Sequence, residues 1–133
     1  MPRPIVVKAD AEGDAVAGLR AFFAGRSETC AVGVEVHVQT PTDRPDVLVT
    51  VVRAGGIGTY GLDAPRLAVT VWHTTATDAY DLAALSLAGL YSLRGYRAFR
   101  GMRETGGPVW APDTDGTPRY LLTVEFTTKG AAA

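Results

Sequence analysis

Between Leu82 and Leu93 the chain carries no charged side chain, and this stretch lies inside a segment with clear signals of an α-helix. Thr75 stands three residues before Asp78, the arrangement of a capping box with Asp in the place of Glu or Gln. Asp78 and Asp81 fall in the first turn and Arg94 in the last, matching the sign of the helix dipole. Gly95 supplies a C-terminal stop. The spacing predicts a helix over 76–94. Ala79, Leu82, Ala83, Ser86, Leu90 and Leu93 form one stripe, and Tyr80, Ala84, Leu87 and Tyr91 form a second. A surface helix of a monomer normally keeps a broad charged face. A helix without one is either buried between the sheet and another helix or gives its second stripe to another subunit. In the second case Tyr80, Leu87 and Tyr91 are the anchors, since aromatics are enriched at interface centres.

The rest of the chain supplies the sheet that such a helix needs. Residues 10–25 read as a first helix, with Val16, Leu19, Phe22 and Phe23 on one face and Gly25 as the stop. Val34, Val36 and Val38 alternate with Glu35, His37 and Gln39, a half-buried strand. After a Pro41–Pro45 turn, the strand 46–53 is apolar on both faces, with Val47, Val49 and Val51 against Leu48 and Val52. That pattern predicts a central strand covered on both sides. A flexible loop is expected over 54–61 and a strand over 66–74. Two more strands are expected at 99–105 and 119–128, joined by a turn-rich link over 106–118 that projects as a long loop. The fold expected is α+β, a mostly antiparallel sheet of four to five strands packed against two helices. Residues 1–8 and 129–133 are expected to be flexible.

One domain accounts for all 133 residues. Hydrophobic residues make up 47% and charged residues 20%, the balance of a globular chain rather than a disordered one. A net charge of −1 argues against a dedicated nucleic-acid binder, which is normally basic. Cys30 is the only cysteine, so an intramolecular disulfide is excluded. No apolar run has the length of a membrane span, and the apolar stretch at the N-terminus is too short for a signal peptide. The expectation is a protein folded in the cytoplasm and not in a membrane.

Several motifs mimic chemistry. Gly56-Ile57-Gly58-Thr59-Tyr60-Gly61 matches G-x-G-x-x-G, but a dinucleotide site needs a helix to follow, and here a strand follows. Asp113-Thr114-Asp115-Gly116 resembles the start of a calcium loop but lacks the remaining ligands and the flanking helices, so it reads as a turn. His37 and His73 have no metal-spaced partners. Ser27, Ser86 and Ser92 lack a nucleophile-elbow context. No catalytic, metal or cofactor constellation emerges, and the expectation is a protein that is not an enzyme. Features suited to contact do emerge. Trp110 sits between Pro108 and Pro112, and Arg94, Arg97, Arg100 and Arg103 recur every three residues. Such a basic row is ordinary surface charge, or it meets an acidic neighbour or passing DNA.

The segments Arg66-Leu67-Ala68-Val69-Thr70-Val71-Trp72, Ala79-Tyr80-Asp81-Leu82-Ala83, 103–113 and 116–125 together resemble the core of tail terminator (tail-completion) proteins of long-tailed bacteriophages. The resemblance covers residues 46–128 and rests on a linear pattern. It implies a small α/β sandwich, no cofactor and no catalytic site. It also implies a structural subunit that forms a ring, typically a hexamer, on the tail tube, stops its growth and forms the joint to the head. The partners implied are other copies of the chain, the tail tube protein, the connector (stopper) protein and, as a further contact, the tape measure protein. DNA enters only as the passing genome. The place implied is the head-proximal end of the virion tail, assembled in the host cytoplasm. Contact residues expected on this reading are Tyr80, Leu87, Tyr91, Trp110, Ile57, Tyr60, Arg97 and Arg100. The alternatives are a head-closure or adaptor protein of the connector, and a small ligand-binding module using the glycine-rich loop.

Overall fold

A computed structural model describes residues 6–7, 10–59, 62–129 and 131–132. The elements run β1 (Val6–Val7), α1 (Ala11–Ala24), a 3-10 turn (Thr29–Ala31), β2 (Glu35–His37), β3 (Leu48–Thr59), β4 (Leu62–Trp72), α2 (Ala76–Tyr91), β5 (Phe99–Trp110), β6 (Arg119–Lys129) and β7 (Ala131–Ala132). Strands β2 to β6 form one sheet in the order β2-β3-β4-β6-β5, and β1 pairs with β7 in a separate two-stranded ribbon. This is the expected α+β architecture, with two helices on a five-stranded sheet that is antiparallel except at β2–β3. Of the two ends expected to be flexible, Lys129 closes β6 and the β1–β7 pair is formed. The other residues of those ends lie outside the described residues.

Both helices lie on one face. Leu67, Val69 and Val71 of β4 stand beside Val49 and Val51 of β3 and beside Leu122 and Val124 of β6, all buried under them. α1 covers β2 and β3, and α2 covers β4, β6 and β5. α1 starts at Asp10, whose side chain accepts the Gly13 N–H, and buries Val16, Leu19 and Phe23 with Phe22 half-buried beside them. α2 starts as expected, with the Thr75 hydroxyl accepting the Asp78 N–H at 3.1 Å. Leu82 and Leu90 are fully buried, and each such side chain contributes about 1.5–3 kcal/mol. Ser86 is buried too, satisfied by donating to the Leu82 carbonyl at 2.7 Å.

The helices approach closely at two glycines. A Cβ on Gly89 would stand 2.8 Å from the Phe22 ring, and one on Gly18 would stand 2.5 Å from a Leu93 methyl. The helix ends at Tyr91, three residues short of the expected 94. Ser92 donates its hydroxyl to the Gly89 carbonyl, and the backbone tightens through Leu93 N–H to the Leu90 carbonyl. Leu93 stays buried, which is why the apolar periodicity runs on after the backbone has left the helix. Arg94 therefore lies beyond the last turn, and Asp81 lies beyond the first.

The sheet corrects four expectations. Residues 54–59 are not a loop: β3 continues to Thr59 and pairs with β4 through a bulge between Arg53 and Gly56. Gly56 has φ +121°, and a Cβ there would stand 2.3 Å from the Ala64 carbonyl oxygen, so glycine is required by the bulge. Residues 106–110 are not a loop either: β5 continues to Trp110 through further register shifts, and only 111–118 connect to β6. The central strand is β4 rather than β3. Finally, β3 is covered on both faces only at its start, where Leu48 is fully buried, whereas Val52 on the same face is 41% exposed.

Beside Leu48 stands its cross-strand partner Trp72, which is held in a clasp. Arg44, on the connection between the parallel strands β2 and β3, and Arg119 lie over the Trp72 ring at 5.8 and 6.0 Å. The Trp72 indole N–H donates to Asp113 at 2.9 Å, and Arg44 pairs with Asp115 at 3.0 Å. Two carboxyls in the 111–118 loop are thereby held below their usual range, Asp113 first by the Trp72 indole and Asp115 first by the Thr117 side chain. At the other end of the hairpin Arg53 binds the buried Asp63 with both nitrogens, at 2.6 and 2.9 Å.

Two measurements check this packing. Gly89→Val should lower stability by about 1–3 kcal/mol, read as a lower urea midpoint at unchanged slope, because the added methyls meet Phe22 and Leu19. The clasp should depend on acid. Depressed carboxyl pKa values mean its contribution is present above about pH 4 and lost as pH falls through the folded-state values. In a Trp110→Phe background, where Trp72 is the only tryptophan, emission should shift red below about pH 4. Asp113→Ala should show that shift already at neutral pH.

Candidate partner-binding surface

Because α2 packs beside the edge strand β5, one of its flanks meets the helix-side residues of β5 and β6. Tyr80 stands edge-on to Tyr120 with ring centroids 5.5 Å apart, and Tyr120 stands edge-on to Trp110 at 5.3 Å. The three rings form a chain from the helix to the end of the sheet. Tyr80 is 50% exposed and Trp110 is 47% exposed. At the other end of the same flank Tyr91, 40% exposed, donates its hydroxyl to Glu104 at 2.7 Å. That bond raises the tyrosine pKa. Leu87, half-buried, lies between these ends on the same side of the helix. Aromatic pairs of this geometry add about 0.5–1.5 kcal/mol beyond their buried area, so each ring has a preferred neighbour on this flank.

Of the contact residues expected from sequence, Tyr80, Leu87, Tyr91 and Trp110 are brought together on this flank. Trp110 is not on a projecting loop as expected; it closes β5, opposite Tyr120. Arg97 lies in the turn between α2 and β5, and Arg100 is the second residue of β5. Arg97 has φ 52° and pairs with Asp14 of α1 at 2.7 Å, while Arg100 donates to the Arg97 and Phe99 carbonyls. Tyr60 and the side chain of Ile57 lie outside the described residues. Sequence reasoning missed Tyr120 and Glu104. Tyr120 shares the phase of Leu122, Val124 and Phe126 and reads as core, and only its place at the strand end leaves it half-exposed. Glu104 carried no sequence signal.

Gly56–Thr59 of the glycine-rich motif sit on strand β3 and the next described element is strand β4, so among the described residues no helix starts at the motif. Asp113-Thr114-Asp115-Gly116 is a turn closed by the Gly116 N–H donating to the Asp113 carbonyl at 2.9 Å. His37 stands on β2 beside Glu35 at 3.1 Å. His73 follows β4 and is buried, one ring nitrogen accepting the Thr74 N–H and the other 3.1 Å from the Cys30 carbonyl. Cys30 is buried, and burial pushes its thiol pKa up. Among the described residues no group of three or more His, Cys, Asp or Glu could hold a metal ion. Among them, too, no helix is long and apolar enough to cross a membrane. Comparison of the sequence with protein-family models and with curated proteins finds no match.

The two tryptophans report separately on this surface. Acrylamide should quench the exposed Trp110 and spare Trp72, so Trp110→Phe should remove most of the quenchable emission. Covering the aromatic flank with a partner should protect the wild-type emission, and an unchanged quenching constant on assembly would place the contact elsewhere.

Proposed function

We propose that this chain is a structural subunit, not an enzyme, that forms a ring on the end of a bacteriophage tail tube, ends its polymerisation and forms the joint to the head connector. The observation that carries the reading is the exposed flank of Tyr80, Leu87, Tyr91, Tyr120 and Trp110. Large aromatics that contact one another and stand partly out of water are the composition of an interface centre rather than of a monomer's surface. The tail-terminator pattern of residues 46–128 supplies the kind of assembly, and the two-helix sheet agrees with the small α/β sandwich it implies. Within this reading the partners are other copies of the chain, the tail tube protein and the connector protein. The glycine motif on a strand gives no support to a small-ligand module.

The test is tube growth. Tail tube protein of the same phage, polymerised in the presence of this protein, should give tubes that stop growing and carry a ring at one end in electron micrographs. Tubes of unchanged length without end rings would overturn the reading. Tyr80→Glu should unfold within about 1 kcal/mol of wild type, as surface changes usually do, yet lose capping. Tyr80 is a cleaner probe than Tyr91, because a carboxylate at 91 would face Glu104.

A further inference from the structure

The opposite flank of α2 is exposed as well, and it is not aromatic. At 3.6 residues per turn, Asp78, Asp81, Leu85 and Ala88 fall on the side away from Tyr80 and Tyr91. With Glu28 and Cys30 of the preceding segment they line a groove of about 560 Å³. Its floor is apolar and its rim acidic. Glu28 is paired with Arg26, but neither Asp78 nor Asp81 makes an ion pair among the described residues.

The turn after α2 has the opposite character. Arg94 and Arg97 are exposed there, and Arg100 is exposed at the start of β5. Arg97 is engaged by Asp14, Arg100 donates only to backbone carbonyls, and Arg94 has no ion-pair partner among the described residues. So two carboxylates without a base lie near the start of the helix, while Arg94 just past its end and Arg100 at the start of β5 are guanidiniums without an acid. Along α2, Asp78 lies about 20 Å and Asp81 about 15 Å from the helix end at Tyr91, so the groove and Arg94 belong to opposite ends of the helix.

We propose that the segment carrying Arg94 and Arg100, the turn after α2 with the first residues of β5, docks from one copy into the acid-rimmed groove of the next copy. This rests on the ring-subunit reading and names the contact that would build the ring. The match is one of charge and of apolar stem. Arginine can bind carboxylates through its fork while its methylenes lie on Leu85 and Ala88. The contact is heterologous when one copy's turn meets the next copy's groove without the reverse contact, so that a pair of copies still offers one free groove and one free turn. Repetition of such a contact closes into a ring when the rotation allows. Being at the surface, it weakens with salt.

Charge exchange tests it. Asp78→Arg/Asp81→Arg makes groove and turn both basic, and Arg94→Glu/Arg100→Glu makes both acidic. By sedimentation equilibrium at low salt, wild type should self-associate and each variant alone should associate about tenfold or more weakly. An equimolar mixture of the two should recover association. Circular dichroism confirms folding, and the single changes Asp81→Arg and Arg94→Glu serve if a double variant unfolds. Folded variants that associate like wild type, or a mixture no better than its components, would overturn this contact and leave the ring to be built elsewhere. A wild type that is monomeric throughout also overturns it, whereas the ring reading itself stands or falls on tube capping. If Arg94→Glu/Arg100→Glu weakened DNA retention and left self-association unchanged, the turn's occupant would be nucleic acid and the proposal would fail.

Discussion

Two helices must share one face of a five-stranded sheet, and everything else in the molecule is arranged around that fit. Strands about 4.8 Å apart make a sheet roughly 20 Å wide, and a helix with its side chains is about 10 Å across. Two helices therefore fill that face side by side, and they pack closely where Gly89 of α2 meets Phe22 and Leu19 and where Gly18 of α1 meets Leu93 just past α2. α1 then covers β2 and β3 while α2 covers β4, β6 and β5. Neither has width to spare, so α2 leaves a flank open along β5 and another beside the Thr29–Ala31 turn. The two exposed flanks are a consequence of how the core closes.

The far face of the sheet follows a different rule. One end is closed by the clasp of Arg44, Arg119, Asp113 and Asp115 around Trp72. The remainder carries Val52, Thr70, Leu121 and Thr123, with Glu125 set between Arg66 and Arg103. Short β-branched side chains and cross-strand ion pairs let that face meet water. The large exposed aromatics of the chain therefore sit on the helix side, and the surfaces that can bind and the surfaces that only need solvating are segregated.

The helices were legible because their signals are local: Thr75 caps α2, and the apolar positions recur at helical spacing. The alternation in β4 and β6 likewise located the core. Strand ends were not legible, because Gly55, Gly56, Gly106 and Gly107 carry the marks of loops, whereas in the sheet they permit bulges in strands that continue past them. The parallel pairing of β2 with β3 depends on where the chain returns, which no periodicity encodes. Of the surface, Tyr80, Leu87 and Tyr91 were legible from helical spacing. Tyr120 was hidden because a buried and a half-exposed position share one phase on a strand, and Trp110 was assigned to a loop because prolines flank it.

The charge-free stretch that first set α2 apart has two separable causes. Ala83, Leu82, Ser86, Gly89 and Leu90 are uncharged because they are buried. Ala84 and Ala88 are exposed, and there alanine's helix propensity is reason enough. Neither account reaches Tyr80 and Tyr91. Tyrosine is a poorer helix former than Lys or Glu, and at these exposed positions a charged residue would solvate the helix better. Tyr80 spends its ring on Tyr120 and through it on Trp110, and Tyr91 spends its hydroxyl on Glu104. Those contacts engage the rings while leaving Tyr80 50%, Trp110 47% and Tyr91 40% exposed. Ring and hydroxyl contacts restrict side-chain freedom in advance, and that lowers the entropy cost of any binding at this surface.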